Sequence, residues 1–162
     1  MIMERGIAPA VGTVRKAVIK DVGAICSLVD DFARRGVMLP RTSDDVTRSI
    51  REFHVYADDG EVLGVAALAI CLADMGEVRS LAVAEGSTGR GIGSALVRAC
   101  LDEAAALGLA RVFALTYQAG FFRKLGFQEI EKTELPHKIW GDCVKCCKFP
   151  SCDETAMMIG LG

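Results

Sequence analysis

The chain has 162 residues, 51% of them hydrophobic and 25% charged, with a formal net charge of −2. That length favours one domain around one core, and the composition excludes a disordered chain. The balanced charge offers no electrostatic footprint for nucleic acid or an anionic membrane, and no apolar run reaches the ~18 residues of a membrane span.

Residues 1–12 read as a loose N-terminal extension containing Gly6, Pro9 and Gly12. They lack a signal-peptide core, so the expected compartment is the cytoplasm. A single domain is expected over 13–162. Residues 14–19 suit a first strand. Asp21 stands where an N-cap would, and Ile25, Leu28, Val29 and Phe32 mark one face of a helix that closes near Gly36. Ser43, Asp44 and Asp45 open a second helix with Val46, Ile50 and Phe53 on one face. Strands follow at 54–57 and 62–71, separated by the hairpin signal Asp58-Asp59-Gly60.

Residues 77–94, EVRSLAVAEGSTGRGIGS, form the central stretch. A short apolar strand to Val83 gives way to a loop over 84–90, then to Gly91-Ile92-Gly93 and an amphipathic helix running to about Leu107. Gly108 stops that helix. A buried strand over 111–116, a short helix over 119–125 closed by Gly126, and a strand over 127–132 come next. An irregular, cysteine-bearing segment over 135–154 precedes a last apolar strand at 155–159. The strands at 54–57, 62–71 and 77–83 are joined by short turns and should form an antiparallel meander. The expected fold class is α/β (α+β), with a mixed, mostly antiparallel central sheet flanked by helices.

A strand, a glycine-bearing loop and a helix start put free backbone N–H groups and a positive helix end before an anion. Glycines at 89, 91 and 93 permit unusual dihedrals and close approach. Backbone donors from Gly89, Arg90, Gly91, Ile92, Gly93 and Ser94 can then converge on a pyrophosphate, and Arg90 adds a positive charge. A plain strand–helix turn that uses glycine for packing is the alternative. A dinucleotide site fits less well, because the third glycine of that fingerprint is missing.

The order of elements, LAV at 81–83 before GRGIG at 89–93, and FFRKLGF at 121–127 resemble the GNAT acetyltransferase superfamily over roughly residues 13–133. The resemblance implies acetyl-coenzyme A as co-substrate. Its pyrophosphate would sit on 89–94, and its pantetheine amides would pair with Leu81, Ala82 and Val83 as an added strand does. Thr88 stands where the family usually has Gln or Arg. Many members carry a tyrosine acid in the segment that here has Phe122, which then only lines the cofactor. Tyr117 could substitute for that acid, or be a packed tyrosine with a satisfied hydroxyl.

Amine acetylation needs an acceptor for the amine proton and a donor to the thioester oxygen. Glu77 is the catalytic-base candidate, with a strand-end surface charge as the bland reading. The oxyanion donor would be a backbone N–H near Ala82 or Val83. Arg79 shares the face of Glu77 in a regular strand and could bind a substrate carboxylate or neutralise Glu77.

GEVRSLAV, RVFALTYQAGFFRKLGF and LPHKIWGDC further resemble short, stand-alone bacterial N-acetylglutamate synthases of arginine biosynthesis. That resemblance implies L-glutamate as the small-molecule acceptor, with Arg41, Arg79 and Lys138 as the cations for a dicarboxylate. Another small amine, a protein N-terminus or a non-catalytic acetyl-coenzyme A-binding module stay open as alternatives. A homodimer is in keeping with such domains, and the apolar strand at 155–159 could serve it.

Of seven cysteines, Cys26, Cys71 and Cys100 sit in apolar patterns and read as small core residues. Cys143, Cys146, Cys147 and Cys152 lie within ten residues. Packing, a redox pair and metal binding are all readings of that cluster; a zinc ribbon would need a second knuckle, so no metal is expected.

Overall fold

The computed structural model describes residues 12–135 and 153–162. Four helices and seven strands run in the order β1 (Thr13–Lys16), α1 (Val22–Arg34), α2 (Ser43–Arg48), β2 (Phe53–Asp58), β3 (Glu61–Leu72), β4 (Met75–Val83), α3 (Ile92–Ala106), β5 (Arg111–Thr116), α4 (Ala119–Lys124), β6 (Gln128–Ile130) and β7 (Thr155–Gly160). One mixed sheet holds the strands in the order β1-β2-β3-β4-β5-β7-β6. The expected α/β class with a mostly antiparallel sheet is what the chain adopts. β4 and β5 run parallel, as the α3 crossover between them requires. Among the described residues, no helix is long and apolar enough to cross a membrane.

The chain divides into two compact units, Met1–Ala67 with Ser80–Cys100, and Leu68–Arg79 with Leu101–Gly162, so β3, β4 and α3 each contribute to both. In the first unit, Ile25 and Val29 of α1 and Val46 of α2 are fully buried with Phe53, Val55, Val65 and Ala82. Burying each of these valine, isoleucine and phenylalanine side chains is worth about 1.5–3 kcal/mol. Ile92 and Leu96 of α3 pack so close to β3 that a Cβ at Gly64 would meet them at 2.7 and 2.9 Å. Glycine at 64 is therefore the seat of α3. In the second unit, Met75, Phe113, Leu135 and Ala156 form the buried cluster, with Ile130 and Met158 against it.

Several boundaries depart from the sequence expectation, each for a local reason. The first strand stops at Lys16 rather than at 19, because the Asp21 carboxylate turns the chain. It accepts from the Val18 N–H at 2.8 Å and from both terminal nitrogens of Arg15 at 2.7 and 3.0 Å. Asp21 thus closes a 3-10 turn over Ile19–Asp21 and makes no side-chain cap to α1. The second helix stops at Arg48, where the Ser49 hydroxyl donates back to the Asp45 carbonyl at 2.6 Å. Phe53, expected on that helix, opens β2 instead. The residue that caps the helix is Thr42, whose hydroxyl accepts from the Asp45 N–H at 3.0 Å. The strand expected over 127–132 shrinks to Gln128–Ile130, because the Glu134 carboxylate takes the Glu131 N–H at 2.8 Å and starts another 3-10 turn.

The final strand lies inside the sheet. β7 pairs antiparallel with β5 along one edge and with β6 along the other. Its backbone is used on both sides, so it cannot extend a sheet into a second copy. Lys138 and the cysteines 143, 146, 147 and 152 lie outside the described residues, as do residues 1–11.

Candidate functional site

The glycine loop belongs to the first unit. β4 ends at Val83, and the Ala84 N–H donates to the Leu63 carbonyl at 2.8 Å. A turn from Ala84 to Ser87 follows, closed by a 2.9 Å hydrogen bond. Gly89 and Gly91 then take φ of +81° and +77°, and a Cβ at either would meet nothing within 4 Å. Packing does not demand these glycines. The left-handed backbone does, and only glycine takes it without penalty. Gly91 is the residue before α3, and the Ala95 N–H donates to its carbonyl at 3.0 Å. The N–H groups of Ile92, Gly93 and Ser94 belong to the first turn, where a helix has no carbonyl of its own to offer. The side chains of Leu81 and Val83 are partly buried, whereas Ala82 is 1% exposed and belongs to the core. Ala82 could therefore serve only through its backbone.

Two features lie outside what the sequence suggested. Arg90, expected to face an anion, donates from Nη2 to the Asp58 carboxylate at 3.0 Å. A groove in the same unit is lined by Leu28, Asp31 and Phe32 of α1, by Arg35 just past its end, and by Val83, Ala84 and Glu85. Arg35 lies over the Phe32 ring, 4.3 Å from its centroid. The helical spacing of 28, 31, 32 and 35 was the available signal, but that spacing also marks an ordinary core-facing stripe.

Ser80 takes a φ of +57° inside β4. A non-glycine residue in that region costs of order 1–3 kcal/mol and re-aims the strand. The regular alternation that placed Arg79 on one face with Glu77 is thus interrupted immediately after Arg79.

Glu77 and Arg79 lie in the second unit. Glu77 stands opposite Phe113 in the β4–β5 register. Its side chain is 14% exposed, and Arg79 Nη1 lies 3.7 Å from Glu77 Oε1. That separation is a charge contact rather than a hydrogen bond. Phe122 of α4 is 3% exposed and sits between Phe121 and Phe127, with ring centroids 5.1 and 5.0 Å away and edge-to-face geometry at both. The Tyr117 hydroxyl donates to Asp153 at 2.8 Å from a side chain at the surface, so it is satisfied but not a core tyrosine.

Arg41 is in the first unit, with its guanidinium carbon 5.9 Å from the Phe53 ring centroid. Its Nε is buried and meets no hydrogen-bond partner among the described residues. Of the three cysteines expected in the core, only Cys100 is fully buried, with its Sγ 3.7 Å from Nδ1 of the buried His54. Cys26 is half-buried, and that burial, with Asp30 nearby, raises its thiol pKa.

The family model for the Acetyltransferase (GNAT) family matches residues 23–127. An uncharacterised N-acetyltransferase of Chlorobaculum tepidum is 40% identical over 93% of this chain and 97% of its own length. An amino-acid acetyltransferase of Mycobacterium tuberculosis is 38% identical over 80% of this chain and 75% of its own. The crystal structure of N-acetylglutamate synthase from Neisseria gonorrhoeae, complexed with coenzyme A and N-acetyl-glutamate, superposes with a TM-score of 0.84 at 29% identity. The match covers 96% of this chain and 36% of that one. A glycine loop with left-handed residues before a helix, on a mixed sheet of this order, together with these likenesses, places the chain in the GNAT family of acetyltransferases.

Proposed function

We propose that this acetyltransferase moves the acetyl group of acetyl-coenzyme A to the α-amine of an amino acid, L-glutamate in the first instance. The observation that carries the amino-acid part is the 38% identity with the amino-acid acetyltransferase of M. tuberculosis along most of both chains. The coenzyme A complex of the gonococcal synthase supports the co-substrate. Production of N-acetylglutamate would serve arginine biosynthesis in the cytoplasm.

The loop residues Gly89 to Ser94 hold the pyrophosphate through backbone N–H groups and the start of α3. The backbone of Leu81, Ala82 and Val83 pairs with the pantetheine arm. A backbone N–H at Ala82 or Val83 supports the thioester oxygen as negative charge builds on it. Bond by bond, the amine nitrogen attacks the acetyl carbonyl carbon, the C–N bond forms, and the C–S bond breaks. The electron pair leaves on sulfur, and the proton shed by the amine passes to Glu77, directly or through water. Arg79, 3.7 Å from Glu77, holds that carboxylate in place. The ring of Phe122 offers no proton, so the acid would be the Tyr117 hydroxyl or water, or the thiolate leaves unprotonated.

A dicarboxylate acceptor needs cations, and Arg41, Arg79 and Lys138 fill that part of the reading. Arg41 supports it best, because its buried Nε meets no hydrogen-bond partner among the described residues. The test is thiol release from acetyl-coenzyme A across a panel of amino acids. Glutamate-dependent release is expected. Release with other amines but not with glutamate would reassign the acceptor and leave the transferase intact.

A further inference from the structure

Arg90 lies between two glycines with left-handed φ, and a Cβ at either would meet open space. Neither neighbour nor backbone therefore gives the arginine a direction. An unrestrained arginine surrenders rotamer freedom when it engages a ligand. Here the direction comes from outside the loop. Asp58 Oδ2 receives the Arg90 Nη2 donor at 3.0 Å, with the Asp58 side chain 16% exposed and the Arg90 side chain 44% exposed.

Asp58 is itself well fixed. It closes β2 and stands opposite Glu61 across the hairpin. The two residues between them, Asp59 and Gly60, have φ of 53° and 80°, the two positive values of a tight type I′ turn. The turn is short and stiff, so the carboxylate at its base is a rigid post. The Arg90 fork has five N–H donors, and a single contact with Asp58 leaves donors to face an anion.

We propose that Asp58 is a positioning residue for the cofactor loop, holding Arg90 in a fixed direction beside the start of α3 so that its remaining donors meet the pyrophosphate. The proposal rests on the reading of 89–94 as the coenzyme A loop. It adds a residue from the β2–β3 hairpin that the glycine pattern does not contain.

The test is a set of coenzyme A titrations on the full chain, comparing the parent with Asp58→Asn, Arg90→Gln, Asp58→Glu and the double variant Asp58→Asn/Arg90→Gln. Asparagine is at home before a tight turn, so folding should hold, and circular dichroism checks it. Asp58→Asn should raise the Kd for coenzyme A about threefold to tenfold, and Asp58→Glu should recover part of the loss. The double variant should bind as Arg90→Gln does, because Asp58 acts only through Arg90. Tighter binding by Asp58→Asn would show that the carboxylate competes with the anion and would overturn the proposal. Unchanged binding, or losses that multiply in the double variant, would overturn it equally. A parent chain that fails to bind coenzyme A would remove the loop reading itself, and the proposal with it.

Discussion

The glycine loop and the Glu77–Arg79 pair are built from different materials. The loop acts through its backbone. Gly89 and Gly91 hold left-handed φ, and in the proposed site the donors that meet the cofactor are N–H groups that any residue would carry. In the proposed site the pair acts through side chains, a half-buried carboxylate and guanidinium 3.7 Å apart on β4. The first arrangement tolerates side-chain change and fails when the backbone is forced. The second tolerates no change of charge. A substitution should therefore damage affinity in one region and turnover in the other.

The largest effect expected is on Glu77. Under its proposed role, Glu77→Gln removes the proton acceptor while keeping the shape, and should lower kcat by about 100-fold or more. Its Kd for coenzyme A should hardly move. Equal loss of coenzyme A affinity and turnover would break the division between the two regions, and an unchanged kcat would remove Glu77 as the base.

Gly91→Val inverts that pattern. A β-branched residue at φ +77° carries a backbone penalty of order 1–3 kcal/mol. Coenzyme A binding should weaken roughly tenfold or more, because the loop leaves its conformation to relieve that strain. With saturating acetyl-coenzyme A, turnover should recover most of its value. If turnover stays low at saturation, the loop does more than hold the cofactor.

The same contrast explains what was legible in the sequence. A left-handed backbone selects glycine, so the loop shows itself as GRGIG. The order of strands and helices also follows from periodicity, and the sheet has the expected class. Side-chain partnerships across elements leave no such trace. Nothing local tells that Arg90 reaches Asp58, 32 positions away, or that residues of α1 wall a groove with Val83 to Glu85. The mistaken boundaries have one cause. At Asp21, Ser49 and Glu134 a polar side chain bonds to nearby backbone and turns the chain before the apolar pattern ends. Place in the sheet is hidden in the same way, because a short apolar strand reads alike at a sheet edge and inside a sheet, where β7 lies.

Phe122 offers a smaller and sharper test on the side-chain half. Phe122→Tyr would add the hydroxyl that the family resemblance led one to expect in this segment. The ring is buried against Phe121 and Phe127, so an unpaired hydroxyl there should cost about 1–3 kcal/mol. Urea denaturation reads that loss directly. A variant of full stability with raised kcat would mean the hydroxyl finds both a partner and the leaving thiolate.

A second acid–arginine pair gives the smallest expected effect and the clearest contrast with Glu77–Arg79. Arg15 and Asp21 meet at 2.7 and 3.0 Å, and the Val18 N–H also donates to that carboxylate. The hydrogen bonds from Arg15, before all else, hold the Asp21 carboxyl below its usual pKa, against the opposing effect of burial. Such a group stabilises the fold while it is ionised. The stabilisation is complete above the unfolded value near pH 3.9 and fades as pH falls through the lower folded value. Asp21→Asn should therefore cost about 1–2 kcal/mol at neutral pH, a modest figure because the arginine side chain is 37% exposed. The gap between parent and variant should close below pH 4, and neither kcat nor coenzyme A affinity should follow it. A gap that persists in strong acid would assign the loss to the reshaped turn instead of the charge.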